Sequence, residues 1–220
     1  MESTGQIILI NKSLRWTSFD VVKKVRNLIK EKKVGHAGTL DPLATGLLIL
    51  CSGKMTKQIS GIQADEKEYT GTFTLGATTP SFDLETTISN ECDCSFVTET
   101  MIADAVKSFV GMQQQLPPVY SAVKVNGKRA YESARAGEDV VIAPKEIEIK
   151  EFEITAVDLP QIHFRVVCTK GTYIRTLAND FGKQLGCGAY LAALCRTRIG
   201  EYLLKDALSI EAFEESLIAV

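Results

Sequence analysis

The apolar residues Ile7, Ile8, Leu9 and Ile10 form a short run that reads as a buried strand, after which the hydrophobic period changes. Thr17-Ser18-Phe19-Asp20 has the form of a helix capping box. Behind it Val21, Val22, Val25, Leu28 and Ile29 recur at helical spacing, while Lys23, Lys24, Arg26 and Lys30 take the other faces. The pattern predicts a helix that stops near Gly35, a loop from His36 to Gly46, and an interior strand at Leu47-Leu48-Ile49-Leu50-Cys51. From Tyr69 to Leu75 the chain alternates, with Tyr69, Phe73 and Leu75 on one face and Thr70, Thr72 and Thr74 on the other, which predicts a half-buried strand.

The stretch from Thr79 to Phe96 lacks periodicity and reads as a loop before a helix over 98–110. Gln113 to Asn126, with Pro117-Pro118 and the turn signal Asn126-Gly127, reads as an irregular surface segment closed by a short helix near Tyr131 to Ala136. Alternation predicts strands over 146–157 and 162–168, then a helix from Thr172 to Leu185 stopped by Gly186. A second helical stretch is expected at Ala189 to Leu194, a strand near Tyr202 to Leu204, and a last helix from Ser209. Strands and helices mixed without strict alternation predict an α+β fold: a mixed, largely antiparallel β-sheet flanked by helices and loops. No repeat or linker interrupts residues 1–220, so one domain is the expectation.

Composition narrows the chemistry. A hydrophobic share of 45% supports a packed core, and a formal net charge of −2 means that any surface for a polyanion must be local. Six cysteines without a charged-then-apolar leader fit reduced thiols in a cytoplasmic protein. The longest apolar run, near Leu47 to Cys51, is far below the roughly 20 residues needed to cross a bilayer, so no membrane partner is expected. Two histidines far apart and a Cys92-x-Cys94 pair of the wrong spacing exclude the usual zinc layouts. Gly53-Lys54 lacks the upstream glycine and the following Ser or Thr of a phosphate loop, and no glycine-rich dinucleotide fingerprint is present. Neither a metal nor a nucleotide cofactor is expected.

What remains is the loop Gly35-His36-Ala37-Gly38-Thr39-Leu40-Asp41-Pro42-Leu43-Ala44-Thr45-Gly46. An arbitrary Asp-Pro pair is most often a turn or a cap. The whole string, however, closely resembles the signature loop of TruB-type pseudouridine synthases. Further motifs of that family follow in order: Lys67-Glu68-Tyr69; Pro117-Pro118-Val119-Tyr120-Ser121-Ala122-Val123-Lys124; and Lys170-Gly171-Thr172-Tyr173-Ile174-Arg175-Thr176-Leu177. Gly127, Tyr131, Ala134-Arg135, Leu185-Gly186-Cys187-Gly188-Ala189 and Leu194-Cys195-Arg196 extend the resemblance over nearly the whole chain.

The resemblance implies the pseudouridine synthase catalytic fold, with an RNA-binding cleft across the sheet. It implies isomerisation of uridine in the T-loop of tRNA without a cofactor, Asp41 being the catalytic carboxylate. It also makes Arg175 the guanidinium expected to pair with Asp41, and sets Tyr69 against the uracil face. His36 would fill the place of a base turned out of its stack, and Tyr173 and Leu194 would line the pocket. Asp41 would act either as a nucleophile on the sugar or as a base on a sugar proton, and both roles stay open. Many relatives carry a C-terminal PUA domain for which this chain shows no counterpart. Thr78-Thr79-Pro80-Ser81-Phe82-Asp83 departs from the Thr-Asp-Thr form common among relatives, which leaves Asp83 outside the expected site.

Local positive charge for RNA comes from three candidates: Lys23 to Lys33, the segment with Lys124, Lys128, Arg129 and Arg135, and the arginines Arg196 and Arg198. The second is preferred, because relatives use the corresponding segment, here about 117–145, as a flap that clamps the RNA. The expected partner is the tRNA T stem-loop, and the expected oligomeric state is a monomer. The competing reading is a catalytically silent tRNA-binding or RNA-folding protein; a nucleoside hydrolase using Asp41 is a third.

Overall fold

Residues 4–121, 123–125 and 127–218 are described by a computed structural model. Asn126 of the predicted turn lies outside the described residues, as do the side chains of Lys124, Arg129 and Arg135. In chain order the elements are β1 (Ile7–Lys12), α1 (Ser18–Ile29), β2 (Val34–His36), β3 (Ala44–Ser52), a 3-10 turn (Gly53–Gln58), α2 (Ile59–Ala64) and β4 (Lys67–Leu75). Then come α3 (Glu99–Phe109), β5 (Gly111–Gln115), β6 (Lys124–Val125), β7 (Lys128–Arg129), α4 (Ala130–Arg135), β8 (Lys145–Asp158) and β9 (Gln161–Cys168). The chain closes with α5 (Ile174–Leu185), β10 (Ala189–Ile199), β11 (Tyr202–Leu203) and α6 (Ile210–Ile218). They group into two compact units, one holding the described residues up to Thr70 together with those from Leu194 onward, the other Gly71–Ala193.

In the first unit β1 and β2 lie antiparallel to β3, and β10 runs parallel to it with Leu194 opposite Ala44 and Arg196 opposite Gly46. Strand parity sorts the core. Ile8 and Ile10 of β1 and Leu48 and Leu50 of β3 pack with Val21, Val22 and Val25 of α1 and with Ile210 and Phe213 of α6. Ile7 and Leu9, with Leu47, Ile49 and Cys51, face Ile59 and Ile62 of α2 instead. A strand covered on both faces has no polar side to show, which is why β3 reads as an unbroken apolar run. The capping box of α1 forms as the sequence predicts: Asp20 N donates to Thr17 Oγ1 at 3.0 Å and Thr17 N to Asp20 Oδ2 at 2.9 Å. The helix stops earlier than Gly35. Lys30 turns left-handed (φ 53°) at its C-cap, and the chain re-enters the sheet as β2.

In the second unit β9 lies between β4 and the fourteen-residue β8, and β5 pairs with β8 on its other side. Phe73 of β4, Phe152 of β8 and Phe164 of β9 pack with Phe109 of α3 and Phe181 of α5, with Phe73 and Phe164 stacked at 4.1 Å between ring centroids. Two expectations fail here. Gly111–Gln115 is a strand where an irregular segment was expected from Gln113 onward, because a glutamine-rich edge strand carries no hydrophobic alternation. Ala189–Ile199 is a strand rather than a helix over Ala189 to Leu194: Tyr-Leu-Ala-Ala-Leu favours helix locally, but backbone pairing such as that of Leu191 with Asp83 and Leu194 with Ala44 overrides the propensity.

Candidate functional site

Asp41 sits on the loop between β2 and β3, and the backbone on either side of it is tied to the first unit. Ser18 Oγ donates to Leu40 O at 3.1 Å and accepts from Leu40 N at 2.8 Å, so one buried hydroxyl satisfies both peptide groups of the residue before Asp41. Arg15 N donates to Pro42 O at 2.7 Å, and Ala44 N to Asp41 O at 3.0 Å. A carboxylate on a backbone held at each neighbouring residue is preorganised, with little left to order when a substrate arrives.

Two buried cations lie under this loop. Lys12, at the end of β1, donates to Trp16 O at 2.7 Å and Ser13 O at 3.1 Å. Burial pushes its amine down to about 8; the Asp41 carboxylate pulls it back up, and the Arg196 guanidinium pushes it down again. An unfolded lysine keeps its proton to about pH 10.4, so between about 8 and that value the unfolded chain binds more protons and native stability rises with pH. The unfolding free energy of the wild type should therefore gain on that of Lys12→Met as pH is raised from about 7 to about 10. A constant difference in denaturant titrations across that range would show the amine to be solvated.

Arg196 overturns a sequence expectation. It was a candidate for RNA contact, yet it is 1% exposed and hydrogen-bonds to the loop carbonyls of Gly38 and Thr39. Arg198 is engaged too, at 2.8 Å from Glu66. His36 ends β2 at the start of the same loop. Burial lowers its pKa below the ordinary histidine value, against a hydrogen bond with the Gly38 backbone and with help from the Arg196 charge, which favours the neutral imidazole at physiological pH. Tyr69 and Leu194 are half-buried against the core cluster that contains Leu40 and Ala44. The first unit thus gathers His36, Asp41, Tyr69 and Leu194 around one loop and its supporting core.

Arg175 and Tyr173 belong to the second unit, at the N-terminal end of α5. Gln115 of β5 fixes that end with a pair of hydrogen bonds to the Tyr173 backbone: its Oε1 accepts from Tyr173 N at 2.7 Å and its Nε2 donates to Tyr173 O at 3.0 Å. Arg175 is 4% exposed. Its Nη1 donates to Tyr120 O at 3.0 Å and to Ser81 O at 3.5 Å, and its Nε lies 3.7 Å from Asp83 Oδ2. Asp83 is equally buried, and its Oδ1 accepts from Glu85 N at 3.0 Å.

Sequence reasoning singled out Arg175, expecting it beside Asp41, and left out Asp83, the carboxylate beside it here. The available signal was the polar alternation Thr79, Ser81, Asp83, all three buried, in a stretch taken for an open loop. Phe82 between them adopts a left-handed φ of 64°, an uncommon conformation for a bulky residue; its carbonyl accepts from Leu191 N at 2.9 Å. Of the basic segment over 117–145, β6 and β7 pair Lys124 with Arg129 and Val125 with Lys128. The Lys128 side chain is exposed, with Glu138 at 3.9 Å.

An acid on a rigid loop, with no helix among the described residues long and apolar enough to cross a membrane, defines an enzyme class only when its relatives are known. Residues 26–174 match the TruB family pseudouridylate synthase N-terminal domain, and residues 175–219 the tRNA pseudouridylate synthase B C-terminal domain. The chain is 54% identical to a tRNA pseudouridine synthase B of Flavobacterium johnsoniae, over 97% of this chain and 96% of that protein. It is 51% identical to one of Phocaeicola vulgatus, over 97% and 93%. Among solved structures, a chain of a Cbf5-Nop10-Gar1 complex superposes with a TM-score of 0.75 at 27% identity over 95% of this chain; the match spans 53% of that longer chain. The class is therefore that of the pseudouridine synthases, which are isomerases. Within it, the chain belongs to the TruB family.

Proposed function

We propose that this protein converts uridine to pseudouridine in the T-loop of tRNA, with Asp41 as the catalytic carboxylate. The observation that carries the proposal is the Asp41 loop itself, fixed through Leu40, Asp41 and Pro42 by Ser18, Ala44 and Arg15 in a chain of the TruB family. The bond from ribose C1′ to N1 breaks, the detached uracil turns, and C1′ joins C5. The proton lost from C5 balances the one gained at N1, so no redox partner or co-substrate is required. Asp41 serves beside the ribose, as nucleophile or as base, and Arg175 is proposed to supply positive charge for the reaction. Tyr69 stacks on the uracil and assists deprotonation at C5, a neutral His36 stacks where the extruded base had been, and Tyr173 and Leu194 are proposed to contact the target nucleotide. The relatives' name, tRNA pseudouridine synthase B, supports the choice of RNA.

The test is to incubate the pure protein with unmodified tRNA, digest the RNA and analyse its nucleosides. Pseudouridine at one T-loop position with no free uracil is the expected product. Free uracil would make the protein a hydrolase, and an unchanged RNA would leave a binder.

Lys124, Lys128 and Arg129 are proposed to contact the RNA backbone. Removing the exposed charge in Lys128→Gln should weaken binding at low salt and reduce the slope of log K against log [salt] by about 1, the effect of losing one phosphate contact. An unaltered slope would take Lys128 out of the interface.

A further inference from the structure

We infer that Arg196 is a positioning residue for the Asp41 carboxylate, splinting from beneath the loop that carries it; the catalytic consequence rests on the isomerase reading above. Arg196 lies on β10 with its Cα opposite Gly46 of β3. Its side chain enters the interior and spreads three donors under the loop: Nε to Leu47 O at 2.9 Å, Nη1 to Thr39 O at 3.3 Å and Nη2 to Gly38 O at 3.0 Å. The bonded carbonyls stand on both sides of Asp41, two and three residues before it and six after. One planar group therefore sets the distance between the loop's two arms.

Burying a guanidinium is expensive, and an apolar side chain would fill the same volume at lower cost to stability. What an apolar group cannot do is hold three divergent carbonyls. A lysine ammonium, a single point on a flexible stem, cannot reach all three at once either. The glycines of the loop fit this role. Gly38 takes a φ of 109°, which L side chains rarely adopt, and a Cβ there would stand in ordinary contact with Nη1, at 3.5 Å. A side chain at Gly46 (φ 100°) would run into the backbone of Arg196 itself. Gly46 thus lets β3 lie close against the strand from which the Arg196 side chain departs. The same charge acts on two other groups of the first unit, Lys12 and His36, consistent with its place at the centre of the loop's support.

Arg196→Lys and Arg196→Gln test the inference, with three readouts on protein shown by circular dichroism to be folded. These are single-turnover isomerisation of tRNA, KM for tRNA, and hydrogen exchange of the amides over 38–47. A misplacement of about 1 Å at a reacting group lowers the rate on the order of a hundredfold. Both variants should therefore lose about that much in kcat while KM stays within about threefold, and exchange over 38–47 should accelerate more than in Leu48–Cys51. Retaining the charge in Arg196→Lys should not restore the rate. A kcat per folded molecule near that of the wild type, or loop exchange unchanged from it, would overturn the inference. Failure of both variants to fold would overturn it as well, by making Arg196 a requirement of folding rather than of loop geometry. If the wild type itself forms no pseudouridine, the isomerase reading falls, while the exchange data still decide whether Arg196 splints the loop.

Discussion

Asp41→Asn should abolish pseudouridine formation, lowering kcat by at least about 10⁴-fold, while tRNA affinity changes by less than about threefold. The asparagine is nearly isosteric, and the hydrogen bonds to the loop backbone from Ser18, Arg15, Ala44 and Arg196 do not run through the Asp41 side chain. What disappears is the charge and the lone pair that either catalytic role requires. Nucleoside analysis of tRNA after single-turnover incubation, paired with filter binding, separates the two quantities. Retention of a tenth of the wild-type rate would show that another group carries the chemistry. A parallel collapse of affinity would mean that Asp41 serves binding, as in the catalytically silent reading.

The second large effect is expected at the buried ion pair of the other unit. Arg175→Met removes the cation from beside Asp83 and leaves a carboxylate in the interior, a change that typically costs about 3–5 kcal/mol when a buried pair loses one member. In a chain of this length that corresponds to a fall in Tm of roughly 10 °C. Isomerisation should be lost in the same variant. Asp83→Leu combined with Arg175→Met should recover much of the stability, since the stranded charge is then gone, and none of the activity. The split between stability and turnover is the informative result. A single variant as stable as the wild type would mean that water reaches Asp83, and a double variant that regains activity would remove Arg175 from the mechanism.

These expectations draw unequally on sequence and on structure. The Asp41 loop was legible because its twelve residues form a contiguous motif, and the buried strands β1 and β3 because burial on both faces leaves an unbroken apolar run. The capping box of α1 and the glycine stop of α5 were legible for a similar reason: each is set by a few adjacent residues whose hydrogen bonds close locally.

Where partners are far apart in the chain, the one-dimensional pattern was silent or misleading. Residues 189–194 carry good helix formers, and only the pairing of β10 with strands elsewhere in the chain makes them extended. Arg196 looked like one more surface cation, because charge in a sequence carries no mark of depth; its register opposite Gly46 sends it inward. Asp83 lay in a stretch without periodicity, and its partner Arg175 is 92 positions away (175 − 83). The sequence by itself determined the family, the motif loop that carries Asp41 and the elements whose bonds close locally. Tertiary structure alone decided which charges are buried and what they hold, because a buried charge is stable only beside groups that the fold brings in from distant parts of the chain.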